Sequence, residues 1–143
     1  MLTLHKLIYR LLGFDLHEIT TGIYTTSKAV PGIAISSSRL ILIDVRLFHQ
    51  LTSEEVQAVI QHEIGHQQLR HHSVWIRAML TGKATTELRE QQELEADAYA
   101  KQMGLGDSLI SFLERALPAL KDKPDDLKQL ERRIQALRES VYN

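Results

Sequence analysis

The sequence predicts an α+β fold in which a small, mostly antiparallel sheet is followed by a set of helices. Two contrasts carry this. Residues 18–44 are rich in Thr, Ile, Val and Ser and are broken by Gly22, Pro31 and Gly32. From Thr52 onward, apolar residues recur at helical spacing between polar ones. The chain reads as one domain over 1–143, with an N-terminal helix in 1–17, the sheet in 18–44, a helical pair in 52–104 and C-terminal helices in 105–143.

The N-terminal segment spaces Leu4, Leu7, Ile8, Leu11 and Leu12 on one helical face. The first expectation packs this face on the domain; the second lays 1–14 against a membrane surface. The segment is too short and too polar to span a bilayer, and it lacks the pattern of a signal peptide. Ile23–Thr26, Ile33–Ser36 and Leu40–Ile43 are strand-like runs, with Ser36–Ser38 as a turn. Thr52 and Glu55 form a capping-box pattern ahead of Val56, Val59 and Ile60. No Gly or Pro follows His66 before Gly82, so this helix is expected to continue past His66. A second helix fits 87–103 and ends at Gly104, a third runs from 107 or 108 to Pro118, and a fourth starts at Pro124.

Composition narrows the function classes. The chain has 143 residues, 43% hydrophobic and 24% charged, with a formal net charge of −1. That suits one compact globular domain. Basic and acidic residues are interleaved, so nothing points to nucleic acid. The absence of cysteine excludes disulfides and thiolate metal sites, and fits a cytoplasmic setting.

The chemistry concentrates in His62-Glu63-Ile64-Gly65-His66, an HExxH motif. Residues i and i+4 share a helix face, so both imidazoles can reach one cation. Glu63 is offset by about 100° and can lie beside that cation without ligating it. There it can take a proton from an attacking water and pass it to a leaving amine. Zinc suits two neutral imidazoles, a carboxylate and one open position. For the third ligand, His72 and His71 are candidates. On a straight helix His72 lies about 15 Å along the axis from His62 and about 80° off its direction, which cannot close a tetrahedral site. The same geometry excludes His71, and both read as solvated or capping histidines. Glu93 is the better candidate. In Glu93-Leu94-Glu95-Ala96-Asp97 it shares a helix face with Asp97, which can accept the other ring N–H of a ligating histidine. Glu95 reads as an ordinary acidic surface residue.

With these segments in place, the chain resembles the M48 family of metallopeptidases, the gluzincin group that includes CaaX-processing and heat-shock proteases. The resemblance spans roughly Pro31 to Leu137. It rests on the Pro-led strand 31–35, the approach Leu51 to Ile60, His62 to His66, Glu93 to Asp97, and Pro124 with Arg133, Ile134 and Leu137. It implies a zincin-type helical domain holding one Zn2+ per chain by His62, His66 and Glu93. It also implies Glu63 as general base and acid, and an edge strand at Ile33, Ala34 and Ile35 that holds the substrate backbone. Gly32 stands where the family strand often has Asn, and Lys123 where a His often precedes the C-terminal Pro. The chain reads as a minimal form without transmembrane helices.

The expected function is zinc-dependent endopeptidase action on peptides or unfolded proteins, through a zinc-bound water. Tyr99 and Arg133 are candidate oxyanion donors, although Arg133 can equally pair with Asp97 and be structural. Rival readings are an ImmA-like repressor-cleaving metallopeptidase and a latent or non-catalytic zinc-bound domain. In the latter, the helix from Pro124 can cover the site.

Overall fold

A computed structural model describes residues 2–28, 34–36 and 40–139, with side chains placed for 4–28 and 40–139. The chain divides into two compact units, Met1–Thr52 and Ser53–Asn143. About a third of soluble-protein residues are helical on average; here helix dominates, beside one small sheet.

The first unit runs α1 (Leu2–Leu11), β1 (His17–Thr20), β2 (Ile23–Thr26), β3 (Ala34–Ser36), β4 (Ile41–Asp44) and α2 (Val45–Gln50). The strand order is β1-β2-β4-β3. The outer pairs are antiparallel, but β2 and β4 run parallel, with Ile23 opposite Ile41 and Thr25 opposite Ile43. The sheet is therefore mixed, and the expectation of a mostly antiparallel sheet is corrected at its centre. A parallel pair needs a long crossover. Residues 27–40 supply it and place β3 on the far side of β4. β1 was not anticipated: its four residues are all exposed and show no apolar alternation. Asp15 anchors its start, accepting hydrogen bonds from Thr26 Oγ1 at 2.7 Å and from the Ser27 amide at 3.0 Å. α2 was also not anticipated; Asp44 caps it by accepting from the Arg46 amide at 2.9 Å. Ile33 and the Ser37–Ser38 part of the expected turn lie outside the described residues, whereas Ala34 and Ile35 are in β3.

Tyr24, Leu40 and Leu42 form the buried centre of this unit, with Tyr9, Phe14 and Leu16 packed against it. α1 does not seat its leucine stripe there. Tyr9 joins the core and Lys6 Nζ lies 5.0 Å from the centre of the Tyr24 ring. Leu4, Leu7, Ile8, Leu11 and Leu12 are all exposed, so the expectation that the apolar face packs on the domain is overturned. The helix is amphipathic, but an aromatic and a lysine stem seat it better than the leucines do.

The second unit holds α3 (Ser53–Gln68), α4 (His71–Leu80), α5 (Thr86–Gln102), α6 (Gly106–Ala116), a 3-10 turn at Leu117–Leu120 and α7 (Pro124–Glu139). Thr85 caps α5 by accepting from the Leu88 amide at 3.1 Å. Gly104, at φ +80°, closes its C-terminus in a conformation that glycine adopts freely. Leu109, Leu113, Leu130, Ile134 and Leu137 are buried, so α6 and α7 contribute directly to the core. α7 thus packs as part of this unit. Glu55 is buried near the start of α3 and ties it to α6, accepting from Ser111 Oγ at 3.0 Å and Arg115 Nη2 at 2.6 Å.

Small residues bring α3 and α5 together. A Cβ added at Gly65 would sit 3.0 Å from Tyr99 Cβ and 3.1 Å from the Ala96 Cα, closer than ordinary contact. The expectation of an unbroken helix past His66 is not met. α3 ends at Gln68, Arg70 takes the left-handed region at φ 56°, and α4 starts afresh at His71. Neither Gly nor Pro marks this break. A non-glycine residue there costs roughly 1–2 kcal/mol, so surrounding contacts must hold it.

No helix among the described residues is long and apolar enough to cross a membrane.

Candidate metal centre

α3 presents His62, Glu63 and His66, and α5 presents Glu93 and Asp97 across the close approach at Gly65. The Nε2 atoms of His62 and His66 lie 3.1 Å apart. Glu93 reaches both, with Oε2 3.5 Å from His62 Nε2 and Oε1 3.3 Å from His66 Nε2. One ligand atom from each of the three residues falls within a cluster of 4.8 Å.

These separations match what a zinc ion needs. Tetrahedral bonds of about 2.1 Å give edges of about 3.4 Å between ligand atoms. Both histidines turn their Nδ1 atoms away to other partners and aim Nε2 at the shared point. The donor set of two imidazoles and one carboxylate fits zinc, so His62, His66 and Glu93 can hold one such cation.

His62 Nδ1 lies 2.8 Å from Asp97 Oδ1. Asp97 is almost wholly buried and accepts two further bonds from Arg133, Nε to Oδ2 at 2.7 Å and Nη2 to Oδ1 at 2.8 Å. Arg133 Nη1 lies 3.0 Å from Glu93 Oε2, so one guanidinium braces both carboxylates. Burial drives the Asp97 carboxyl up, but the Arg133 and His62 hydrogen bonds outweigh it and leave it below the usual range. Glu93 moves the same way: burial raises it, and hydrogen bonds from His62 and His66 with the Arg133 charge bring it well down. For His62, burial lowers the imidazole, but the Asp97 and Glu93 hydrogen bonds prevail and push it up to about 9 in the metal-free chain.

Glu63 is buried. Burial lowers the Arg133 guanidinium, but its hydrogen bonds to Asp97, and then the charges of Asp97, Glu93 and Glu63, hold it above its ordinary value. Tyr99 packs over Gly65, where its Cβ sets how closely the two helices meet. Glu93 and Arg133 also line a cavity of about 250 Å³ with Leu94, Leu120 and Leu130.

The structure adds two residues that the sequence reading set aside. His71 is buried, its Nδ1 lies 2.9 Å from His66 Nδ1, and its Nε2 lies 2.8 Å from Glu95 Oε2. Its exclusion rested on a straight helix, and the turn at Arg70 removes that premise. Glu95 accordingly faces His71 instead of being an ordinary surface acid. The break itself left no signal in the sequence. His72 is exposed, as expected.

Residues 30–84 match the model of Peptidase family M48. The matched stretch contains His62, Glu63 and His66 and ends before Glu93. It supports the resemblance to an M48 family metallopeptidase. No curated protein and no solved structure matches the chain.

Proposed function

We propose that this chain is a zinc-dependent endopeptidase of the M48 kind, with His62, His66 and Glu93 holding the cation and Glu63 serving as general base and then acid. The observation that carries the reading is the convergence of His62 Nε2, His66 Nε2 and the Glu93 carboxylate at separations of 3.1, 3.3 and 3.5 Å. A zinc ion held there supplies a Lewis acid that polarises the scissile carbonyl and makes water acidic near neutral pH.

The chain's own residues supply the rest. Glu63, next to the ligand His62 on α3, takes the proton of the attacking water and returns it to the departing amine. Asp97 holds His62 by its Nδ1–H and keeps Nε2 available as a lone pair. Arg133 keeps Asp97 and Glu93 ionised, which is a positioning role; its Nε, Nη1 and Nη2 all face carboxylates. β3 pairs only with β4 among the described residues, and in this reading the strand that carries Ala34 and Ile35 takes an extended peptide as an added strand. The substrate is then a peptide or an unfolded protein chain.

The test measures bound zinc and casein hydrolysis on wild type and Glu63→Gln. One zinc per chain in both proteins, with hydrolysis only in wild type, is the expected result. One zinc per chain with no hydrolysis in either points instead to a latent or non-catalytic zinc domain. A folded wild type that takes up no zinc overturns the proposal.

A further inference from the structure

We infer that His71 is a positioning residue for His66, fixing through an imidazole-to-imidazole hydrogen bond which nitrogen of His66 faces the metal point. The inference rests on the metal-site reading above and concerns a residue outside the HExxH and Glu93–Asp97 segments.

The two histidine ligands are braced by different devices. His62 leans on a carboxylate, with Asp97 Oδ1 2.8 Å from its Nδ1. His66 has no carboxylate at that position; its Nδ1 meets His71 Nδ1 at 2.9 Å. The far nitrogen of His71 meets Glu95 Oε2 at 2.8 Å, while Glu95 Oε1 accepts from Gln91 Nε2 at 2.8 Å. The His71 backbone is held too, because its carbonyl accepts from Gln92 Nε2 at 3.1 Å. Only 5% of His71 is exposed.

The direction of this chain follows from donor and acceptor capacity. An ionised carboxylate only accepts, so the proton between His71 and Glu95 sits on His71 Nε2. A neutral His71 then has a bare Nδ1, which must accept. His66 therefore donates from Nδ1, and its Nε2 is left as the lone pair beside His62 Nε2 and Glu93 Oε1. Reversing any link would set two protons or two lone pairs against each other in a buried place, at a cost of about 1–3 kcal/mol.

The fold is bent to make this contact. Had α3 continued straight, the residue five positions after His66 would point away from it. The left-handed Arg70 ends that helix and restarts α4 at His71, folding this ring back onto His66. A strained residue at this point has an evident use, because it delivers the brace to the ligand.

The experiment uses the full chain with one equivalent of Zn2+. Long-range proton–nitrogen NMR of the histidine rings should show His71 protonated on Nε2 and His66 on Nδ1. A His71 protonated on Nδ1 overturns the inference. Zinc affinity is then measured by chelator competition for His71→Phe and His71→Asn. Phenylalanine keeps a flat ring, somewhat larger than imidazole, and removes the acceptor, and should weaken binding about 10- to 100-fold. Asparagine can place its side-chain oxygen where Nδ1 stands, and should restore most of that loss. Phenylalanine binding within twofold of wild type, or asparagine no better than phenylalanine, overturns it. Should His71→Phe fail to fold, Glu95→Ala serves in its place: it frees the far end of the ring and should weaken zinc severalfold, and wild-type affinity there overturns the inference. His66→Ala separates the two readings. Zinc uptake in wild type that is lost in His66→Ala, with His71 variants unaffected, removes the role of His71 and leaves the metal site standing.

Discussion

Arg133 grips Asp97 with two parallel hydrogen bonds, and only 15% of the arginine and 2% of the aspartate side chain reach solvent. α5 and α7 are joined at this point, directly behind His62. Asp97 can stay ionised in such surroundings because the fork supplies both charge and geometry. Replacing Arg133 by Met leaves a buried carboxylate without its cation, so a loss of about 3–5 kcal/mol in folding stability is expected. Arg133→Lys keeps the charge but loses the fork, and should fall between. Chemical denaturation of the metal-free proteins measures both, and an Arg133→Met as stable as wild type would remove the ion pair from the account.

Gly65 sits inside the metal-binding motif but acts through packing. A methyl group there meets Ala96 Cα at 3.1 Å and Tyr99 Cβ at 3.0 Å, so α3 and α5 must move apart by a few tenths of an ångström. Overpacking costs roughly 1–3 kcal/mol, while alanine in place of a helical glycine returns at most about 1 kcal/mol. Gly65→Ala should therefore be destabilised by about 1–2 kcal/mol. It should also bind zinc more weakly than wild type, because Glu93 rides on the helix that moves. Equal stability and equal zinc affinity would show that the approach of the two helices is looser than these contacts state.

The sequence was most informative where local rules decide. Helical spacing alone puts His62 and His66 on one face of α3, and Glu93 and Asp97 on one face of α5; that these two faces meet is a matter of packing between the helices, seen in the cluster of His62, His66 and Glu93. Gly104 and Pro124 marked helix ends for equally local reasons. The break at Arg70 was illegible because arginine has no preference for φ 56°, and tertiary contacts impose it. His71 was lost with it. The outward leucines of α1 were misread because periodicity reports that a face is apolar and not what it meets. The parallel pairing of β2 with β4 depends on the crossover through 27–40, which no short window contains.

Glu55 shows a local signal with a second, non-local use. It fits the capping-box position after Thr52, yet its carboxylate is buried against Ser111 and Arg115 of α6. Glu55→Ala should cost about 1–3 kcal/mol, by losing the charge-assisted hydrogen bonds that its buried carboxylate accepts from Ser111 and Arg115. In a double-mutant cycle with Arg115→Ala, the two losses should be less than additive. Strict additivity would mean that the 2.6 Å contact contributes nothing to stability.

Zinc binding should depend steeply on pH, with a sign set by His62. In the metal-free chain burial lowers this imidazole, but the hydrogen bonds from Asp97 and Glu93 lift it to about 9. Its folded value is above the ordinary 6.5, so the protonated ring stabilises the metal-free fold fully below pH 6.5, and that contribution is lost as pH rises toward about 9. A cation must displace the same proton before it can use Nε2. Apparent zinc affinity should therefore climb over this interval, by up to tenfold per pH unit for one proton released. The thermal midpoint of the metal-free protein should fall over the same interval, while the increment added by zinc grows. Calorimetric titrations in buffers of different ionisation enthalpy count the protons released. Release of about one proton near pH 7.5 is expected. Zinc affinity that is flat from pH 6.5 to 8.5 would mean that His62 is already neutral and that Asp97 and Glu93 do not hold it in the charged form.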